Sequence, residues 1–168
     1  GLLYKDMPPL TSYYFTPEFT GEATILVYNP GDARSYPRFI FYLEKDTADN
    51  SKLYFANATT NEACAVDMSG LPAGKVALDF STQTISRYVW NEETQKEDEI
   101  KDYGRMQGNA ISVSEREPVV TLPDTVTTDV EDYYKTEYDT IYIQNYQDTE
   151  TWAEECVVSI NPMAMRVS

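Results

Sequence analysis

Apolar residues in this chain never hold a helical spacing for long. The sequence returns instead to short runs of β-branched and aromatic side chains, each closed by turn formers. Strands are predicted at Ala23 to Tyr28, Arg38 to Glu44, Lys52 to Ala56, Ala63 to Asp67, Lys75 to Phe80, Thr84 to Trp90 and Ala110 to Ser114. Later runs fall at Thr140 to Tyr146 and Cys156 to Ile160, with a continuation from Met163 to Val167. Between them lie turn signals such as Asn29-Pro30-Gly31, Met68-Ser69-Gly70 and Pro72-Ala73-Gly74. In Lys75 to Phe80 the alternation puts Val76, Leu78 and Phe80 on one face. Short strands at this spacing predict an all-β chain, an antiparallel sandwich or barrel.

A length of 168 residues suits one domain with a real core. The first 21 residues hold three prolines and several aromatics without periodicity, and read as an extended lead-in or linker before a domain at 22–168. One composition shift stands out: from Glu115 to Glu155 the chain turns acidic, Tyr-rich and Thr-rich. Within it, "DTIYIQNY" sets Ile141 and Ile143 on one face and Tyr142, Gln144 and Tyr146 on the other. With the isoleucines inward, a tyrosine-bearing face points outward.

Histidine is absent. That removes Ser/His/Asp and Cys/His nucleophile systems, histidine metal sites and the commonest general base near neutral pH. Thirteen basic against 28 acidic side chains give a formal charge of -15. A phosphate backbone needs clustered Lys and Arg, so nucleic acid is not an expected partner. No apolar stretch approaches the roughly 20 residues that span a bilayer, and no membrane contact is expected. Cys64 and Cys156 are too few and too far apart for a zinc site, and a disulfide or two buried thiols are equally open.

Paired carboxylates are the catalytic option that remains. Glu92, Glu93, Glu97, Asp98 and Glu99 read as one acidic loop, and Asp129, Glu131 and Asp132 lie in the late segment. Among 28 acids, close pairs arise by chance and a charge run is usually a solvated face. The expectation is therefore no enzyme, no catalytic residue and no cofactor. "TTDVEDYY" offers oxygens to calcium but lacks the D-x-D-x-D-G pattern, so no metal is expected. Tyr133, Tyr134, Tyr138, Tyr142, Tyr146 and Trp152 are the contact candidates. Tyrosine and tryptophan are enriched at protein interfaces, and their rings also stack on sugars. Asn57-Ala58-Thr59 matches a glycosylation acceptor, a triplet common by chance. "NPGDARSYPRF" reads as a strand connector rather than a phosphate cradle, since Pro30 lacks the N–H that a nest would need. Its Tyr36-Pro37 bond is open to a cis form.

Four stretches, in order, resemble the C-terminal domain of distal tail proteins of long-tailed bacteriophages infecting Gram-positive hosts. They are "ILVYNPGDARSYPRFIF", "GLPAGKVALDFSTQTIS", "GRMQGNAISVS" and "VVSINPMAMRV", covering about Glu22 to Ser114 and Cys156 to Val167. The resemblance implies an antiparallel β-sandwich of galectin-like or jelly-roll form. It implies a non-enzymatic structural or adapter domain at the tail tip, contacting neighbouring tail or receptor-binding proteins, or itself as a ring. The expected location is the virion, otherwise the cell exterior or surface. The family's ring-forming N-terminal domain has no counterpart in these residues, and 115–155 reads as an insertion. The other reading is a carbohydrate-binding sandwich that recognises host cell-wall polysaccharide.

Overall fold

A computed structural model describes residues 11–15, 21–31, 33–115, 138–145 and 152–160. Every regular element among them is a strand: β1 Thr11–Phe15, β2 Glu22–Tyr28, β3 Arg38–Leu43, β4 Lys52–Asn57, β5 Glu62–Asp67 and β6 Gly74–Asp79. The remainder are β7 Thr84–Asn91, β8 Lys96–Tyr103, β9 Met106–Gly108, β10 Tyr138–Gln144 and β11 Ala153–Ile160. They form a six-stranded sheet, β1-β11-β3-β6-β7-β8, and a five-stranded sheet, β2-β10-β4-β5-β9, with antiparallel pairing throughout. The two sheets pack face to face as a β-sandwich.

Period-two patterning decides which side chains meet between the sheets. Phe39 and Phe41 point in from β3, Phe55 from β4, and Phe80 follows β6. The Phe39, Phe55 and Phe80 rings meet edge to face with centroids 5.2–5.7 Å apart. That is the offset geometry aromatic quadrupoles favour, and it joins both sheets in one cluster. Ile25, Val27, Leu53, Val66, Ile85, Ile141, Ile143 and Val158 close around it.

Three hairpins share one device. Four-residue loops join β4 to β5, β6 to β7 and β7 to β8, and each ends on a residue in the left-handed region just before the returning strand. Those residues are Asn61, Gln83 and Gln95, with φ of 56°, 55° and 56°. A type I turn followed by a left-handed residue matches the twist of the paired strands. Glutamine there carries no turn signal, so β8 is not visible as a strand in the sequence. Glu97, Asp98 and Glu99, expected in a loop, lie on β8 instead. Its exposed charges suit a sheet edge, where they deter pairing with another chain.

Other boundaries moved for similar reasons. Thr11–Phe15, expected as lead-in, pairs antiparallel with β11. Ala110 to Ser114 is not a strand. It is a strap whose Val113 forms one bridge to Ser35, with N–O distances of 2.7 and 3.2 Å, while Ile111 and Val113 fill the core. β10, inside the stretch read as an insertion, is the strand between β2 and β4. The Met163 to Val167 continuation lies outside the described residues. Tyr36-Pro37 is trans.

Arg105, between β8 and β9, clasps the far corner. It donates to the carbonyl oxygens of Asp67 and Ser69 at 3.1 and 2.9 Å and to Asp102 at 3.2 Å. The Ser69 hydroxyl and backbone N–H both donate to Asp67 Oδ1, and these bonds, with Arg105 nearby, hold its carboxyl below the ordinary value of 3.8.

Two predictions follow from this packing. Phe55→Ala opens a cavity between the sheets and should cost about 3–5 kcal/mol in chemical denaturation. A depressed carboxyl pKa stabilises the fold above the unfolded value and loses that contribution as pH falls through the folded one. Asp67→Asn should therefore melt below wild type at pH 6, and the gap should close as pH drops under 3.8.

Candidate functional site

Alternation along the five-stranded sheet places one set of side chains in the core and the other on an open face. On β10, Asp139, Ile141 and Ile143 are buried, so Tyr138, Thr140, Tyr142 and Gln144 point out. Tyr142 and Gln144 thus point outward as expected from "DTIYIQNY", while Tyr146 lies outside the described residues. On β4 the outward residues are Lys52, Tyr54 and Ala56; on β5 they are Ala63, Ala65 and Asp67.

Strand register aligns these residues in rows. Thr24, Tyr142, Ala56 and Ala63 form one row, and Glu22, Gln144, Tyr54, Ala65 and Gln107 the next. Three alanines thus sit low in the middle of the sheet, with taller side chains around them. The result is a trough of about 330 Å³ lined by Tyr54, Tyr142, Gln107, Gln144 and the alanines. Tyr142 and Tyr54 remain 46% and 39% exposed. Glu22 Oε2 accepts from Gln144 Nε2 at 3.0 Å and steadies that amide.

The floor is closed on one side by Gly108, at φ 110°. A Cβ there would lie 2.6 Å from the Ala63 carbonyl oxygen. Only glycine lets β9 approach β5 closely enough to bring Gln107 beside Ala65.

Beneath the face, Asp139 is wholly buried. Its Oδ2 accepts from Asn57 Nδ2 at 2.9 Å and from the Ser114 backbone N–H at 2.8 Å. Asn57 also donates to the Ser112 carbonyl at 2.8 Å, and its own Oδ1 accepts from Thr59 N–H at 3.0 Å. These bonds tie β10 and β4 to the strap at 111–114. They also occupy Asn57 inside the fold, which removes it as a glycan acceptor in the folded protein.

Of the six contact candidates, Tyr138, Tyr142 and Trp152 lie among the described residues, and these three do not share one site. Tyr138 and Tyr142 share the open face, and the Tyr138 ring lies 5.8 Å from that of Tyr28 on the neighbouring strand. Trp152 sits elsewhere, 4% exposed, with its ring 5.4 Å from Phe41. It precedes β11 and lines a recess of about 250 Å³ at one end of the sandwich, with Asn145 and Ser51. Tyr133, Tyr134 and Tyr146 lie outside the described residues, as do Asp129, Glu131, Asp132 and "TTDVEDYY". Tyr54, Gln107 and the alanine floor were not singled out from sequence, because the trough arises from register across four strands.

Both cysteines are free thiols in the core, Cys64 on β5 and Cys156 on β11. Burial raises both pKa values, that of Cys156 much further. Among the described residues no three His, Cys, Asp or Glu side chains gather as metal ligands would. The "NPGDARSYPRF" loop carries the chain from one sheet to the other. Asn29 accepts from the Gly31 N–H at 2.9 Å and donates to the Ala33 and Val113 carbonyls.

No protein-family model, curated protein or solved structure matches the chain.

Asn57→Ala would take one donor from the buried Asp139 carboxylate, which keeps the Ser114 N–H, and would remove the amide that donates to the Ser112 carbonyl. The expected loss is about 1–3 kcal/mol in urea unfolding, with more for the charged partner. A variant as stable as wild type would contradict this role for Asn57.

Proposed function

We propose that this β-sandwich is a non-enzymatic structural and adapter domain of a phage tail tip. It acts by contact, joining a neighbouring tail or receptor-binding protein, in the virion rather than in the host cytoplasm. One observation carries the reading. Two of the stretches that resemble the distal tail proteins, "ILVYNPGDARSYPRFIF" and "GRMQGNAISVS", bond directly to each other. Ser35 and Val113 exchange backbone hydrogen bonds, and Asn29 Nδ2 reaches the Val113 carbonyl at 3.2 Å. A third, "GLPAGKVALDFSTQTIS", runs through β6 and the start of β7 in the adjoining sheet. Residues 157–160 of the fourth lie on β11, which pairs with β3. The resemblance therefore follows physically joined parts of one fold rather than scattered turns, and this supports a common architecture.

The absence of histidine favours contact over bond chemistry in the same direction. An acidic surface, at a formal charge of -15, suits a protein that must stay soluble until it assembles.

Immunogold electron microscopy of tailed particles from the genome that encodes the chain tests the reading. Label at the tip of the tail is the expected result. Particles that assemble and infect without the chain, or a gene around which no tails form, would overturn it.

A further inference from the structure

The trough on the outer face of the five-stranded sheet has a chemistry more specific than a generic contact surface. Its floor is Ala56, Ala63 and Ala65, flat and apolar, and its length crosses four strands. At about 4.8 Å between strands, that is roughly 14 Å of accessible surface. Tyr54 and Tyr142 stand over it from adjacent strands. The register pairs Tyr142 with Ala56 and Gln144 with Tyr54, so the two tyrosines are diagonal neighbours, about 7–8 Å apart. Each ring is held by only two rotatable bonds, so presenting it costs little side-chain entropy.

We infer that this trough binds a short stretch of uncharged saccharide. The C–H face of a pyranose is apolar and flat and lies well against a tyrosine ring or an alanine floor. Its hydroxyls need partners that both donate and accept. The side-chain amides of Gln107 and Gln144, on either side of Tyr54 and Ala65 in one row, carry both functions, and the tyrosine hydroxyls add two more.

Charge narrows the ligand further. Among the described residues no Lys or Arg lines the trough, Glu22 bonds to Gln144 at its end, and the whole chain carries -15. A phosphorylated, sulfated or uronic polysaccharide would meet repulsion there, and Lys52, the next outward residue on β4, is matched by Asp67 opposite it. Size separates a sugar from a protein partner. A concavity of about 330 Å³ falls at the lower end of small-ligand sites. A stable protein partner would cover roughly 800 Å² of each surface, most of it well beyond this trough. The site does not depend on the tail-tip reading, since it rests on the side chains of this face alone.

The test is an array of uncharged oligosaccharides printed beside sulfated and phosphorylated ones, probed with the whole chain and followed by calorimetry on those retained. At least one uncharged oligosaccharide should be retained, and the anionic set should not. Tyr54→Ala and Tyr142→Ala should each weaken binding about tenfold. Tyr142→Phe, which keeps the ring and loses one hydroxyl, should weaken binding less than Tyr142→Ala. Ala65→Leu fills the floor and should abolish binding while leaving the core untouched, and Tyr103→Ala, on the other sheet, should change nothing. The inference fails if no uncharged oligosaccharide is retained or if only anionic ones are. Retention that Ala65→Leu and both tyrosine variants leave unaltered overturns it as well.

Discussion

The carboxylate of Asp139 is the interaction on which the rest of the structure turns. It is wholly buried between the sheets and accepts hydrogen bonds from Asn57 on β4 and from the backbone of Ser114 on the strap. A buried carboxylate is expensive unless its lone pairs are filled, so it tolerates few alternative positions. Side chains on a strand alternate with a period of two, and a one-residue slip of β10 would carry Asp139 to solvent and Tyr138 and Tyr142 into the core. Apolar packing of Ile141 and Ile143 sets the same phase. The polar bonds add a second condition, because the observed register is the one that brings the carboxylate to Asn57 and to the Ser114 N–H.

With β10 fixed, the open face follows. β10 lies between β2 and β4, and the rows it shares with them continue across β5 to β9. Large side chains on β10 and β4 stand beside small ones on β4 and β5, and a trough results. Gly108 completes it by allowing β9 to close in. Thus one buried acid, three alanines and one glycine shape a surface whose chemistry is set by two tyrosines and two glutamines. The core cluster of Phe39, Phe55 and Phe80 supplies a rigid base, since Phe55 lies directly between outward Tyr54 and Ala56 on the same strand.

Much of this was legible in the sequence, and the failures have physical causes. Strands with one buried face announce themselves by alternation, and β2 to β7 fall within a residue or so of their expected places. β8 did not, because it lies at an edge with both faces exposed, and its hairpin turns on Gln95 rather than glycine. β1 has no alternation of its own to display, and its place comes from pairing with β11, a partner some 140 residues away. Ile111 and Val113 looked like strand residues because they are core residues. Burial there comes from the strap, with one backbone bridge instead of a ladder. Tyr142 could be assigned to an outward face from Ile141 and Ile143 alone. Tyr54 and the alanine floor could not, since small residues are informative only once their neighbours across strands are known. Trp152 shows the converse, an aromatic in an acidic segment that packs on Phe41 in the core.

The account depends on β10 being an interior strand with its register locked by Asp139. Amide hydrogen exchange of the native protein measures this directly, because an interior strand bonded on both sides opens only in large unfolding events. The amides of residues 139–143 should exchange as slowly as those of β3 and β4, and far more slowly than those along β8. Rapid exchange across 139–143, at rates like the exposed β8 edge, would contradict the account.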